Sequence, residues 1–416
     1  MLKRLVTILF ALLTCGGLAA QEPTDAPADE AQRLEQMQAD MQRDDYIAVS
    51  ILTASPGQPV YSAAGHAALR MTCPQHGIDY CYEFDNIVSP QLMADFLLGR
   101  MQGLFVRRQT ADLIDRYRQE GRGITGLPLN LTADEDIRLW QVLDYCADSV
   151  GLQPFDMMSH QCVSTMVGAV KEALANARIS YHGTPEALRG TYRDTFPLMF
   201  KRAPWAAFVW NLLMGTGFDT EPPHELLLFP TVLIDEWQRA TIVDDDGAER
   251  PLADGAPYVL LPAAVTDQSA VLTPTLLFAM LLAIAMAVTL WEWRRGKATL
   301  AGRVLDGVLL SGVTLVGLLL AYLIVFSHHA ATSWNWLFPV FSPLPALVWL
   351  MRRRCPAACR RFWAVATLVL LAYCLLTPVI PQMQHGGMLL LILTLAVRTS
   401  TVYHNIIKSH LKPSTT

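Results

Sequence analysis

The segment His160-Gln161-Cys162-Val163-Ser164-Thr165 decides how the first part of this chain is interpreted. It stands where a loop enters the stretch 162–174, whose apolar residues recur on one face and predict a helix. A helix N-terminus favours the thiolate form of a cysteine, and a neighbouring imidazole can take the thiol proton. Cys162 is therefore the candidate nucleophile of a catalytic site.

A second segment, Gly65-His66-Ala67-Ala68-Leu69-Arg70, supplies the candidate base. His66 begins a strand-like run, and another run follows the turn Pro74-Gln75-His76-Gly77, so the two are expected to form a β-hairpin. A turn near residues 75–76 places His66 opposite residues 85–86. Asp85 is then the predicted partner that orients the imidazole, with Glu83 and His76 as substitutes.

The oxyanion-binding groups are expected beside the same cysteine. We expect Gln161 and the backbone N–H of Cys162 to hold the oxyanion. Two other interpretations stay open: Cys162 is a packed cysteine with His66 on the surface, or it forms a disulfide with Cys146. No cofactor and no metal ion is predicted, because Cys355-Pro356-Ala357-Ala358-Cys359 has no histidine partners nearby.

The first twenty residues have the pattern of a secretory signal peptide. Lys3 and Arg4 form a basic start, and the apolar run 5–19 is too short for a comfortable membrane span. Cys15 raises the alternative of a lipidated cysteine, although the residue before it suits that signal poorly. Residues 21–45 are rich in Gln, Asp, Glu and Ala and predict an acidic leader.

Hydrophobic spans dominate the chain after residue 272. We predict five, each near the roughly 20 residues that a helix needs to cross a bilayer. They lie at about Thr273–Trp291, Val304–Phe326, Trp336–Leu350, Trp363–Ile380 and Met388–Thr401. Residues 273–416 carry 12 Lys and Arg against 2 Asp and Glu, whereas residues 21–272 carry 18 against 35. The acidic first part argues against a nucleic-acid partner.

The basic residues of the second part cluster in alternate loops. Arg294, Arg295 and Lys297 follow the first span, and five arginines between residues 352 and 361 follow the third. The positive-inside rule then places residues 21–272 outside and the C-terminus in the cytoplasm. A cleaved export signal demands the same orientation. We therefore expect a multi-pass protein of the cell inner membrane with its N-terminal domain in the periplasm.

The exported domain, residues 46–272, is predicted to be α+β, and residues 273–416 to be an all-α bundle. Thr132, with Glu135 three residues on, forms a capping box that opens a helix. Strands are predicted at 46–53, 64–71 and 79–85, and helices at 90–104, 111–120, 131–147 and 162–174. Because the compartment is oxidising, Cys73 and Cys81, which flank the hairpin turn, are predicted to form a disulfide.

The order of the two catalytic candidates, histidine first and cysteine later, resembles that of the circularly permuted papain-like acyltransferases and amidases. This group surrounds lecithin:retinol acyltransferase and the NlpC-like enzymes. More closely, the chain resembles the Lnb family of Bacteroides-type bacteria. The matching stretches are Ala64–Arg70, Phe96-Leu97-Leu98-Gly99-Arg100, Leu127–Thr132, Gln161-Cys162-Val163-Ser164-Thr165, Gly215-Thr216-Gly217-Phe218-Asp219 and Asn335-Trp336-Leu337. Gln161 departs from the asparagine expected before the cysteine.

The resemblance implies a function as well as a fold. Lnb proteins are lipoprotein N-acyltransferases with a periplasmic domain and a membrane domain. The implied reaction moves an acyl chain from a phospholipid donor to the α-amine of the S-diacylglyceryl cysteine of a diacylated lipoprotein. Cys162 would carry the acyl group and His66 would act as base and acid in turn. Ser164 and Arg70, which lie in matching stretches, are expected to support the site.

Two other functional classes remain open from the sequence alone. One is a periplasmic cell-wall amidase or cysteine peptidase, which leaves five membrane spans unexplained. The other is a non-catalytic membrane scaffold or sensor. Trp205, Phe208, Val209 and Trp210 form an amphiphilic stretch that either lies against the lipid or packs as a core helix. His328, His329 and Asn335 are either a second site for head groups or interfacial residues.

Overall fold

A computed structural model describes residues 46–57, 62–87, 91–183, 189–198, 200, 203–222, 229–264, 272–384 and 386–411, with side chains to residue 404. Four isolated positions before residue 46 are also described. The predicted signal peptide, most of the acidic leader and Cys15 lie outside these residues.

A seven-stranded antiparallel sheet forms the centre of the first part, in the order β10-β5-β1-β2-β3-β4-β6. Its strands are β1 Ala48–Ala54, β2 His66–Cys73, β3 Ile78–Asn86, β4 Gln102–Gln109, β5 Ile124–Pro128, β6 Gln153–Pro154 and β10 Tyr258–Leu261. A smaller sheet contains β7 Arg178–Ser180, β8 Thr241–Val243 and β9 Glu249–Pro251. The first part is therefore a mixed α and β structure, as predicted.

Seven helices accompany these sheets in the described residues. They are α1 Leu92–Leu97, α2 Thr110–Gln119, α3 Ala133–Ser149, α4 Cys162–Leu174, α5 Tyr192–Thr195, α6 Pro204–Leu213 and α7 Pro230–Arg239. Helix α4 packs against β2, β3 and α3. Helix α2 contributes Leu113 and Tyr117 to a core with Ala68 and Cys81 on one face of the sheet.

The β2–β3 hairpin forms as the sequence predicts. A 3-10 turn at Pro74–His76 ends at Gly77, whose φ of 63° lies in the left-handed region that glycine tolerates. The strands then pair from Cys73 opposite Ile78 to Ala68 opposite Glu83. The helix predicted at 90–104 is wrong in its length, because α1 ends at Leu97 and the chain returns as β4.

The second part is helical. Its helices are α8 Pro274–Arg295, α9 Leu300–Phe326, α10 Leu344–Met351, α11 Pro356–Leu375 and α12 Met388–Leu411. By length and composition, α8, α9 and α11 can cross a membrane, and α12 has a shorter apolar part, Met388–His404. Helix α10 has only eight residues. Three candidate spans are thus present among the described residues, and the predicted number of five stays a prediction.

The loop after α9 joins the two parts through hydrogen bonds. The backbone N–H of His328 donates to Leu98 (3.0 Å), and Gly215 donates to Ala331 (2.6 Å). Asn335 donates to the carbonyl of Leu212 at 2.9 Å. A Cβ atom at Gly217 would lie 2.0 Å from the carbonyl oxygen of Ala330, so this approach requires glycine.

A shared hydrophobic core accompanies these bonds. It contains Trp210 and Phe208 of α6 together with Phe278 of α8, Leu320 of α9 and Ile392 of α12. The rings of Phe208 and Phe278 are 5.0 Å apart. Trp205 donates its indole N–H to the carbonyl of Leu272 at 2.7 Å. Of the two interpretations of this amphiphilic stretch, the structure supports packing against the helices.

Candidate active site

Cys162 is the first residue of α4, and the residues around it build the start of that helix. The side-chain oxygen of Gln161 accepts from the backbone N–H of Val163 at 2.7 Å. Ser164 accepts from the backbone N–H of Gln161 at 2.9 Å, which completes a capping box. Gln161 therefore positions the helix start, and the oxyanion-binding role predicted for it stays a prediction. The N–H of Cys162 belongs to the first turn, where a helix offers no internal acceptor.

His66 lies between Cys162 and Glu83. Its Nε2 is 3.0 Å from Oε2 of Glu83, and the neighbouring Cys162 thiol contributes to the raised pKa of the imidazole. The thiol also lies 3.6 Å from the side-chain oxygen of Gln161. Because Nε2 contacts the carboxylate, Nδ1 is the ring nitrogen that remains for the thiol. When the thiol proton moves to Nδ1, the imidazole becomes an imidazolium that donates to Glu83 through Nε2. The structure thus brings together a cysteine, a histidine and a carboxylate in the order that nucleophilic catalysis requires.

The charges around His66 favour its protonated form. Burial lowers the pKa of His66, but the acidic groups of Tyr117, Cys162 and Glu83 outweigh burial and raise it well above 6.5. Burial would raise the pKa of Glu83, but His66 and Arg108 lower it to about 2. The buried Glu83 is therefore a carboxylate at neutral pH, and it stabilises an imidazolium that can later give its proton away.

Glu83, and not Asp85, contacts the imidazole. Extending the β2–β3 register by two residues places Asp85 opposite His66, as the sequence predicts. Glu83, the diagonal neighbour of His66, nevertheless contacts the imidazole, because Asp85 is bound by two arginines. Its Oδ2 lies 3.0 Å from Arg108 and 2.9 Å from Arg116. Arg108 and Arg116 also lie 2.5 and 3.4 Å, respectively, from Oε1 of Glu83. The two arginines therefore connect Asp85 to Glu83, the residue that contacts His66.

Two other predicted site residues lie elsewhere. Arg70 forms a bidentate ion pair with Asp79, at 2.8 and 2.7 Å. It is four residues from His66 along β2, or roughly 13 Å at the usual rise of a strand. His76 lies in the turn at the other end of the hairpin. The structure therefore does not bring either residue to Cys162, whereas Ser164 lies beside it as part of the cap.

The predicted disulfide between Cys73 and Cys81 does not form, and both thiols are free. Cys81 pairs opposite Arg70, so its side chain lies on the same face of the hairpin as that of Arg70. Arg70 and Cys73 are three residues apart on one strand, so the Cys73 side chain points to the opposite face. Burial raises the pKa of the Cys81 thiol to about 12. Cys146 is also free, which removes the alternative of a disulfide with Cys162.

An apolar cavity of about 110 Å³ opens directly on His66 and Cys162. Its polar lining residues besides these two are Gln161 and Asn86, and aromatic and aliphatic side chains make up most of the rest. The apolar residues include Phe84, Leu92, Met93, Phe96, Met101, Phe155, Met157, Phe200, Trp210 and Phe229. Such a lining suits a hydrocarbon chain. A larger cavity of about 250 Å³ among α9 to α12 includes neither His66 nor Cys162.

His329, which follows α9, and the nearby Asn335 pack the junction between the two parts. His329 is buried, accepts from the backbone N–H of Ala331 at 3.1 Å, and lies against Phe96 with ring centres 5.5 Å apart. Asn335 also accepts from the N–H of Leu337 at 2.8 Å. His328 is exposed. A role of this group in head-group binding stays a prediction.

Asn86 and Trp210 are cavity residues that the sequence does not single out as site residues. Asn86 lies on β3 after Asp85, and its side-chain oxygen is buried without a partner among the described residues. Trp210 comes from α6, far along the chain. The position of Asn86 next to Asp85 is only a weak indication that it belongs to the site. Trp210 reaches the site only through the tertiary fold.

Two family models match this chain. Residues 33–166 match the Lnb N-terminal periplasmic domain, and residues 266–410 match the Lnb transmembrane domain. His66, Glu83 and Cys162 all lie in the first matched segment. No curated protein and no solved structure is significantly similar to the chain. The two matches cover both parts of the fold in order, and the chain therefore belongs to the Lnb family.

Proposed function

We propose that this protein is a lipoprotein N-acyltransferase that uses Cys162 as its nucleophile. The observation that carries the proposal is the Cys162–His66–Glu83 arrangement at the mouth of an apolar cavity. Membership of the Lnb family suggests the same reaction. The acyl donor is a phospholipid, and the acceptor is the α-amine of the S-diacylglyceryl cysteine at the start of a lipoprotein.

The first step forms a thioester. His66 accepts the thiol proton on Nδ1, and the sulfur attacks the ester carbonyl of the phospholipid. The S–C bond forms, and the oxyanion is stabilised at the helix start by the backbone N–H of Cys162. The ester C–O bond then breaks, and the imidazolium gives its proton to the leaving alkoxide, which departs as a lysophospholipid. Glu83 stabilises the imidazolium through this step.

The second step forms an amide. The acceptor amine attacks the thioester carbonyl, the N–C bond forms and the C–S bond breaks. His66 takes the proton that the amine loses, and the Cys162 thiol is restored when that proton returns to sulfur. An α-amine, with a pKa near 8, is partly neutral at the cell surface, which makes it a better acceptor than a lysine side chain.

The placement of the cavity fits substrates that are held in a bilayer. Its wall includes Trp210 of α6, and α6 packs directly on the apolar helix α8. An acyl chain can therefore reach the thiol while the rest of the lipid stays near the membrane surface. The cavity is poorly suited to a wall peptide, whose polar groups would lose their hydrogen bonds in it. This disfavours the amidase or peptidase alternative.

The proposed arrangement of the chain follows from the same function. Residues 1–20 are a signal peptide, 21–45 an acidic leader, 46–272 a periplasmic domain with a permuted papain-like fold, and 273–416 a transmembrane domain. The protein is an inner-membrane protein with its catalytic part in the periplasm. Family models of a periplasmic and a transmembrane domain, together with three apolar helices, support this arrangement.

Mass spectrometry of a lipoprotein N-terminus tests the proposal. Cells with the protein are expected to carry three acyl chains on the lipoprotein, and cells lacking it two. Complementation with Cys162→Ala or His66→Ala should leave two chains, whereas Cys146→Ala, which changes a free cysteine outside the cavity, should restore three. Three chains in the Cys162→Ala strain, in a host without a redundant enzyme, would exclude this mechanism.

A further inference from the structure

A second cavity lies behind the catalytic cavity. It has a volume of about 90 Å³, and its lining includes Phe196, Ala207 and Phe208. None of its lining residues belongs to the catalytic cavity, whose own lining includes Trp210 and Phe200. The two cavities are therefore neighbours that aromatic side chains keep apart.

The wall between the two cavities is a packed aromatic cluster. The ring of Phe196 meets Trp210 edge to face at a centre distance of 5.9 Å and lies 4.7 Å from Phe200. On its other side Trp210 meets Phe96 edge to face at 4.8 Å. Trp210 is 7% exposed and Phe196 is 3% exposed, so both rings are fixed by packing. A side chain held in this way gives a cavity a definite end.

The second cavity contains a charged side chain, but that side chain is already satisfied. Arg193 donates to Asp219 at 2.5 Å, to the carbonyl and side-chain oxygens of Asn211, and to the carbonyls of Met214 and Gly215. These contacts use all five N–H groups of the guanidinium. The cavity therefore offers no free cation to a phosphate, and apart from Asn211 the rest of its lining is apolar.

We propose that Trp210 ends the acyl-binding cavity and thereby limits the length of the acyl chain that Cys162 accepts. The inference rests on the proposed function, since it assumes that an acyl chain occupies the cavity beside Cys162. The chain runs from the thioester toward α6, and its terminal methyl group contacts the indole. Removing the indole extends the cavity of about 110 Å³ toward Phe196, which still separates it from the cavity of about 90 Å³. Longer chains then fit.

The direct test is acylation of Cys162 in the purified full-length protein by phosphatidylcholines of graded chain length, followed by intact mass. Trp210→Ala should shift the preferred chain to a longer one. Each added methylene that becomes buried is worth about fourfold in selectivity, so a chain two carbons longer should gain roughly fifteenfold over the wild-type optimum. Val209→Ala, a change at the exposed neighbour on the same helix, should keep the wild-type preference.

A cavity-filling variant separates this effect from general loosening. Ala207 lines the second cavity and not the first, so Ala207→Leu alone should leave chain-length preference unchanged. Combined with Trp210→Ala, it should keep the gain for long chains, because Phe196 still separates the two cavities. Trp210→Phe keeps an aromatic ring in the wall and should give a smaller shift in the same direction, which tests the idea if the alanine variant does not fold.

The outcomes distinguish the two proposals. If the wild-type protein forms no acyl-Cys162 species with any donor, the proposed function fails. If the wild type is acylated but active Trp210 variants keep the wild-type preference, the limit lies elsewhere and this inference is wrong.

Discussion

Replacing Glu83 by glutamine tests the assignment of the third catalytic residue. The variant keeps the shape of the side chain and removes its charge from a position with no solvent exposure. Burial opposes the carboxylate, but His66 and two arginines still lower its pKa from 4.5 to about 2. A lowering of that size corresponds to roughly 3 kcal/mol in favour of the charged form.

Part of that free energy stabilises the His66 imidazolium during acylation of Cys162. His66 is the largest cause of the lowering, so loss of the charge is expected to raise the barrier by roughly 1 to 2 kcal/mol, or about tenfold in rate. The amide can also donate to Nε2, which moves the ring proton to Nδ1 and blocks acceptance of the thiol proton. We therefore expect acylation of Cys162 to slow by roughly 10- to 100-fold.

The assay is single-turnover acylation of Cys162 by a phospholipid, followed by intact mass. Asp85→Asn is the matched control, because it removes the same charge two residues away on the same strand. Asp85 contacts Arg108 and Arg116 rather than His66, so its loss should slow acylation no more than about threefold, in keeping with an indirect contact. Equal losses in the two variants, or a fully active Glu83→Gln protein, would refute the assignment.

Three further predictions concern the free thiols and the dependence of stability on pH. Because Cys73 and Cys81 are free and on opposite faces of the hairpin, a reducing agent should not change the thermal midpoint; a drop of several degrees would show that a disulfide stabilises the domain. Because folding raises the pKa of His66, the protonated imidazole stabilises the fold fully below pH 6.5. This stabilisation is lost as the pH rises through the pKa of His66 in the folded protein, so the stability advantage of the wild type over His66→Gln should shrink above neutral pH. The lowered pKa of Glu83 acts in the opposite range, since its stabilisation is present above pH 4.5 and is lost as the pH falls toward 2; an advantage over Glu83→Gln that grows in acid would contradict it.

The hairpin that carries His66 and Glu83 could be predicted from sequence because its pattern is local. The turn at Gly77 and the alternation of apolar residues fix the register, and that register places Asp85 opposite His66. The choice between Asp85 and Glu83 is not local. It depends on Arg108 and Arg116, which arrive from β4 and α2 and hold Asp85 away from the imidazole.

Other differences have equally specific causes. The disulfide prediction overlooked the alternation of side chains, which puts Cys73 and Cys81 on opposite faces once the register is known. The predicted helix at 90–104 continued an apolar pattern through Gly99, whose φ of 66° lies outside the helical region. The cavity wall at Trp210 depends on the tertiary packing of α6, which no spacing in the sequence specifies.

The shared core of α6 and the apolar helices has a thermodynamic consequence. Trp210 belongs both to that core and to the wall of the catalytic cavity, so a chain that packs against the indole also packs against the junction. Thermodynamic linkage makes this coupling reciprocal. If the docked helices strengthen acyl binding by a certain free energy, an acyl group on Cys162 strengthens the docking of the helices by the same amount. Under the proposed function, the helical part is then a component of the substrate site, and we expect the thioester form of the protein to be the more tightly joined one.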